Sequence, residues 1–156
     1  MSNKIKTAGF KTLKIIYGAL IIGVVAFLAI VLFLKKDNLH FAVDMDDIFT
    51  MVVPLMALSG IAVSVILNNG FQKMIQPEDT LQAKLSKYQT ASIIRGALLE
   101  GPALIGVVAT FISGNYFFLL FSVVLLIAMY LFFPNKERFA QAAQLSFEEK
   151  SKLDTL

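Results

Sequence analysis

Residues 93–113 read IIRGALLEGPALIGVVATFIS, and the fold turns on this stretch. It is apolar throughout except for Arg95 and Glu100, and Pro102 follows the carboxylate by two positions. About 20 mostly apolar residues of helix cross a bilayer. In lipid every backbone polar group must find its partner within the protein, so such a run is helical. Three further runs of this kind occupy 15–34, 48–67 and 116–133, each without a charged residue. The chain therefore reads as all-α, an integral membrane four-helix bundle over 1–134 with a cytoplasmic tail over 135–156. The run at 15–34 is too long for a signal peptide and ends in Lys35 and Lys36 with no small-residue cleavage site after it, so it reads as a retained helix.

Composition agrees. The 156 residues are 57% hydrophobic and 16% charged, with 14 Phe, whereas soluble domains carry about 25% charged residues. A soluble core could not hide this much apolar surface. The absence of Cys rules out disulfides, thiolate chemistry and cysteine metal sites. With His40 the one histidine, a protein-only zinc site is not expected, and no cofactor is implied. His40 and Asp44, beside Asp46 and Asp47, read as an acidic solvated loop. No nucleophile–base pair or phosphate loop is visible, so the expectation is a non-enzyme.

Lys and Arg orient the bundle. Lys4, Lys6, Lys11 and Lys14 precede the first run, and Lys73, Lys84 and Lys87 lie between the second and third, with Arg95 at the edge of that segment. Lys136, Arg138, Lys150 and Lys152 follow the fourth. The opposite side has only Lys35 and Lys36, next to four aspartates. The positive-inside rule then puts both termini in the cytoplasm of a multi-pass protein of a bacterial cytoplasmic (inner) membrane. Tyr116, Phe117 and Phe118 at one end of the fourth run, and Tyr130, Phe132 and Phe133 at the other, read as interfacial aromatic belts, with Pro134 as the stop.

The segment before the third run predicts a helix start. Pro77 fits a first helical position, with Glu78 and Asp79 in the first turn. Leu81, Leu85 and Tyr88 recur at helical spacing, and no breaker intervenes before residue 93. One long helix is expected from about Glu78 through the third span, with Lys84 and Lys87 on a solvated or headgroup face. In the tail, Ser146-Phe147-Glu148-Glu149 is a capping box that starts a short helix.

Glu100, with Arg95 and Pro102 beside it, is the candidate functional group. Seven residues of the span precede it, which puts it roughly 10 Å inside the boundary. A charge at that depth costs about 2.5–3.5 kcal/mol, so the carboxyl is expected to face the bundle in neutral form or to have a partner. Pro102 leaves the carbonyl of Leu98 without its helical donor. That carbonyl, or the hydroxyls of Ser59 and Ser64, are the expected partners. Arg95 is five positions away and points to another side. Gly96, Ala103 and Gly106, with Ser92 and Thr110, repeat at helical spacing and predict close helix packing; Gly60 and Ser64 form a second small-xxx-small pair. IIYGAL at 15–20 matches IIRGAL at 93–98, and IGVVAF at 22–27 matches IGVVATF at 105–111, a hint of a parallel repeat of helical hairpins.

QPE at 76–78, the basic residues after it and ALLEGPALIGVVA at 97–109 resemble the polar loop and outer helix of the ATP synthase c subunit over residues 60–112. The resemblance implies a proton or sodium ion carried by Glu100. The loop-to-carboxylate spacing is several residues longer here, and span two has no glycine ladder, so a tight ring is not implied. The whole chain is similar to small four-helix membrane proteins of Bacteroidota-type bacteria, a likeness that implies no activity. Two function classes follow. One is a structural or accessory subunit working by helix packing and cytoplasmic contacts. The other is a small proton, cation or solute translocator using Glu100. The expected partners are the lipid bilayer and either further copies of the chain or a larger membrane complex; nothing points to nucleic acid.

Overall fold

The computed structural model describes the backbone of residues 2–154 and the side chains of residues 9–71, 73–151 and 153. The side chains of Lys4, Lys6 and Lys152, which contribute to the charge bias, lie outside the described residues. The elements are α1 (Ser2–Lys35), α2 (Ile48–Met74), α3 (Leu81–Ser113), α4 (Phe117–Leu131), α5 (Lys136–Ala142) and α6 (Phe147–Asp154), and among the described residues there is no strand.

Three stretches are long and apolar enough to cross a membrane: Gly9–Lys35, Ile48–Phe71 and Leu81–Ser113. The fourth apolar run is helical for only 15 residues, about 22 Å at 1.5 Å per residue. It qualifies as a span only together with α5, from which it is bent by 77°. Pro134 and Asn135 produce the break, Asn135 by capping α5 through a 2.7 Å bond from the Arg138 amide.

α3 is the centre of the molecule. α1, α2 and α4 pack on it from different sides, and α2 also touches α4. α1 runs parallel to α3: a Cβ at Gly9 would meet Gln89 and Leu85, one at Gly96 would meet Tyr17 and Leu20, and Val31 clusters with Val107. α2 and α4 run antiparallel to it, Gly60 lying against Leu98 and Pro102, and Leu125 and Met129 against Leu99. The helix continues through Pro54 in α2 and Pro102 in α3. α1 and α2 make at most marginal contact with each other. The repeated sequence at 15–20 and 93–98 therefore does not mark two alike packed hairpins: α4 packs on α3, whereas α1 and α2 each pack on α3 and not on each other.

The expected long third helix is present, but it starts at Leu81 rather than near Pro77. The Thr80 hydroxyl accepts from the Ala83 amide and takes the cap position. Asp79 is already engaged in a turn, accepting from the Gln76 amide at 2.8 Å. At the far end the helix stops at Gly114, which has φ 72°. Asn38 O lies 2.8 Å from where a Cβ would stand, so both conformation and space select glycine there. The 36–47 loop is pinned to this turn. His40 and Gly114, and Tyr116 and His40, exchange backbone bonds of 3.0 Å, and the buried Asn115 side chain holds Ala42 by both its amide and its carbonyl.

At the other end a small second layer forms. Phe139, Ala143 and Leu145 of the α5 region and Leu153 of α6 pack with Leu85 of α3 and Phe10 of α1. Each large apolar side chain so buried contributes about 1.5–3 kcal/mol. The capping box is made in full: the Glu149 amide donates to Ser146 Oγ at 3.3 Å, and the Ser146 amide donates to Glu149 Oε2 at 2.9 Å.

Candidate functional site around Glu100 and Arg95

Glu100 is half-buried on the side of α3 that faces α1. A Cβ at Gly23 would stand 3.8 Å from Glu100 Oε1. The expected hydrogen-bond partners are elsewhere. Leu98 and Pro102 lie four residues apart on one face, and Glu100 is about 200° round the helix from Leu98. The carbonyl that Pro102 leaves without a donor faces Gly60 of α2, where a Cβ would come within 2.8 Å of it. Ser59 and Ser64 donate to their own helix, to Met56 O at 3.0 Å and Ile61 O at 2.8 Å. Among the described residues no group hydrogen-bonds the Glu100 carboxyl. The core at this level is apolar: Val24, Ala57, Leu99, Ala103, Leu125 and Met129, with the ring of Tyr17.

The packing glycines serve three neighbours. Gly96 lies under Tyr17, whose ring carbon Cε2 would be 2.9 Å from an added Cβ. Gly60 lets α2 approach Pro102. Gly106 lies against α4, where a Cβ would collide with Ser122 Oγ and reach within 3.0 Å of Phe118 O. Ser122 spans the same contact by donating to Ala103 O at 2.8 Å. Ser64, Ala103 and Thr110 are buried. The Tyr17 ring also meets Phe133 edge-on at 5.6 Å, and its buried hydroxyl has no described hydrogen-bond partner.

Arg95 does not pair with Glu100. Its guanidinium lies over the Phe132 ring, 4.7 Å from the centroid. It borders an open crevice of about 440 Å³ with Asn68, Tyr88, Arg138 and Gln141. No local pattern in the sequence points to Arg138, Asn68 or Gln141, because only the turn at Pro134 and the antiparallel α2 and α3 bring them beside Arg95.

Lys84 is not on a solvated face, whereas Lys87 keeps a side chain 35% exposed. Lys84 is 2% exposed and forms an ion pair with Glu149 of α6 at 3.0 Å. Lys87 bonds Asp79 at 2.6 Å and Met74 O at 2.8 Å. At Lys84 the surface of α3 is thus occupied by the chain's own tail. Partial burial would raise the Glu149 carboxyl, but the Ser146 amide and the Lys84 ammonium outweigh it and hold the group below its ordinary range. The Lys87 hydrogen bond does the same for Asp79.

In the 36–47 loop, Asp44 and Asp47 accept from backbone amides of Asp46 and Phe49. Among the described residues no three His, Asp or Glu side chains gather into a group fit for a metal ion. No known family model, curated protein or solved structure matches the chain.

Proposed function

We propose that the chain is a multi-pass protein of a bacterial cytoplasmic membrane, with both termini cytoplasmic. In this reading it acts without enzymatic chemistry, as a structural or accessory subunit, through helix packing and the layer built by its tail. The observation that carries the reading is the distribution of polarity. The outward faces of the long helices are large and apolar, with Ile15, Ile22, Phe33, Met51, Leu55, Leu58, Ile66 and Ile127 all more than half exposed. The interior between them is packed with apolar side chains. Such a surface is stable against lipid and costly in water. Apart from Lys35 and Lys36, the basic residues flanking α1, α2 and α3 gather at the α5–α6 end, which the positive-inside rule assigns to the cytoplasm. α4 is short for a full span, and local thinning of the bilayer or tilt of its neighbours accommodates such a helix at modest cost.

A second reading, a c-subunit-like proton or cation translocator, is favoured by one observation: the Glu100 carboxyl stands at the α1–α3 seam without a described hydrogen-bond partner. Purification in mild detergent followed by mass spectrometry separates the two. A stoichiometric partner complex supports the accessory role. pH-dependent ion flux in liposomes that is lost in Glu100→Gln supports the translocator.

A further inference from the structure

We propose that the crevice between the adjoining ends of α2, α3 and α5 binds a phosphate group, carried by an anionic lipid or free in solution. Arg95 and Arg138 supply two guanidiniums to one crevice, and Asn68, Gln141 and Tyr88 add neutral donors around them. No carboxylate lines it. Among the described residues the ion pairs are Lys84 with Glu149 and Lys87 with Asp79, so neither arginine is neutralised. The two arginines thus bring like charge to one crevice. Two like charges held together are relieved by an anion between them, and the planar fork of arginine matches phosphate oxygens two at a time. Phe132 supports the Arg95 guanidinium from one face, which fixes its direction before any ligand arrives.

The volume, about 440 Å³, suits a glycerol-phosphate headgroup as well as a lone phosphate. A lipid source has a further feature in its favour. Arg138 also borders a second crevice of about 290 Å³ with Tyr130, Leu131 and Phe133. Tyr130 and Leu131 are 74% and 57% exposed and continue into the outward apolar face of α4, where an acyl chain would lie. Basic recesses between helices at the membrane boundary hold anionic headgroups in this way.

The test uses the full chain purified in mild detergent. Native mass spectrometry follows retention of phosphatidylglycerol and of phosphatidylcholine through delipidation, with inorganic phosphate as competitor. Phosphatidylglycerol should be retained and phosphatidylcholine lost. Arg95→Gln and Arg138→Gln should each weaken retention by roughly tenfold, while Lys150→Gln, outside the crevice, should not. Arg138 is exposed, so its variant should keep the helical circular dichroism of the parent and remain informative. Displacement by millimolar inorganic phosphate identifies free phosphate as a ligand; resistance to it identifies the lipid headgroup. Equal retention of the two lipids, or unchanged retention in the double arginine variant, would overturn the site.

Discussion

Ser122 on α4 donates its hydroxyl hydrogen to the carbonyl oxygen of Ala103 on α3 at 2.8 Å, with both residues fully buried. The bond forms because Gly106, one turn along α3, has no Cβ to hold the helices apart. Gly106→Leu should therefore destabilise the protein in detergent by about 3 kcal/mol, through overpacking and loss of close approach. Ser122→Ala should cost about 1 kcal/mol, the scale of one interhelical hydrogen bond. Thermal or denaturant unfolding measures both. A Gly106→Leu protein as stable as the parent would mean that α3 and α4 do not meet there.

The Lys84–Glu149 pair ties α6 to α3. Both carboxyls with lowered titration, Glu149 and Asp79, stabilise the fold when ionised. The sign follows from linkage: the folded value lies below the unfolded one, so the contribution is complete above the ordinary values of 4.5 and 3.8 and is lost as pH falls through the depressed values. Hydrogen-exchange protection over residues 136–154, taken relative to the intrinsic rate at each pH, should fall on acidification below that window. Glu149→Gln should produce a similar loosening at neutral pH, about 1 kcal/mol, because the pair is partly exposed. Tail protection that is indifferent to both pH and substitution would contradict the docking.

Glu100→Gln is expected to leave folding unchanged, since no described partner depends on the carboxylate. As an accessory subunit the variant should still assemble with its complex. As a translocator it should fold and lose pH-dependent flux, because an amide neither binds nor releases a proton in this range. Carbodiimide labelling provides an independent reading: a neutral carboxyl half-open to lipid reacts at the α1–α3 seam. Failure to label Glu100 in the folded protein would mean that a cation or hydrogen bond occupies it.

Tyr17→Phe should be neutral or stabilising by up to about 1 kcal/mol. The ring fills the space over Gly96 and against Phe133, whereas the hydroxyl is buried without a described partner. Removing an unsatisfied polar atom while keeping the ring relieves a desolvation cost. A loss of more than 1 kcal/mol in thermal unfolding would show that the hydroxyl has a partner after all.

Topology is testable by reporter fusions. A reporter placed after Phe41 should read periplasmic, and reporters after Lys84 and Leu156 should read cytoplasmic. A cytoplasmic signal at Phe41 inverts the orientation, and disagreement between Lys84 and Leu156 changes the number of crossings.

The apolar runs, the long third helix and the Ser146–Glu149 capping box were legible in the sequence, because each depends on residues within a few turns of one another. Hydropathy over about 20 residues and a side chain bonding its own backbone need no distant partner. The neighbours of Glu100 were decided by tertiary structure alone. Which carbonyl faces which helix depends on how α2 and α1 rotate about α3, and Ser59 and Ser64 turned to their own backbone instead. Lys84 looked like a surface charge because its partner lies 65 residues away. Arg95 and Arg138 share a crevice only because the chain turns by 77° at Pro134. Close packing on α3 selected these pairings: its Gly96 and Gly106 admit Tyr17 and Ser122, and Gly60 of α2 admits Leu98 and Pro102, at distances that any larger side chain would forbid, and a string of residues does not contain that geometry until the helices meet.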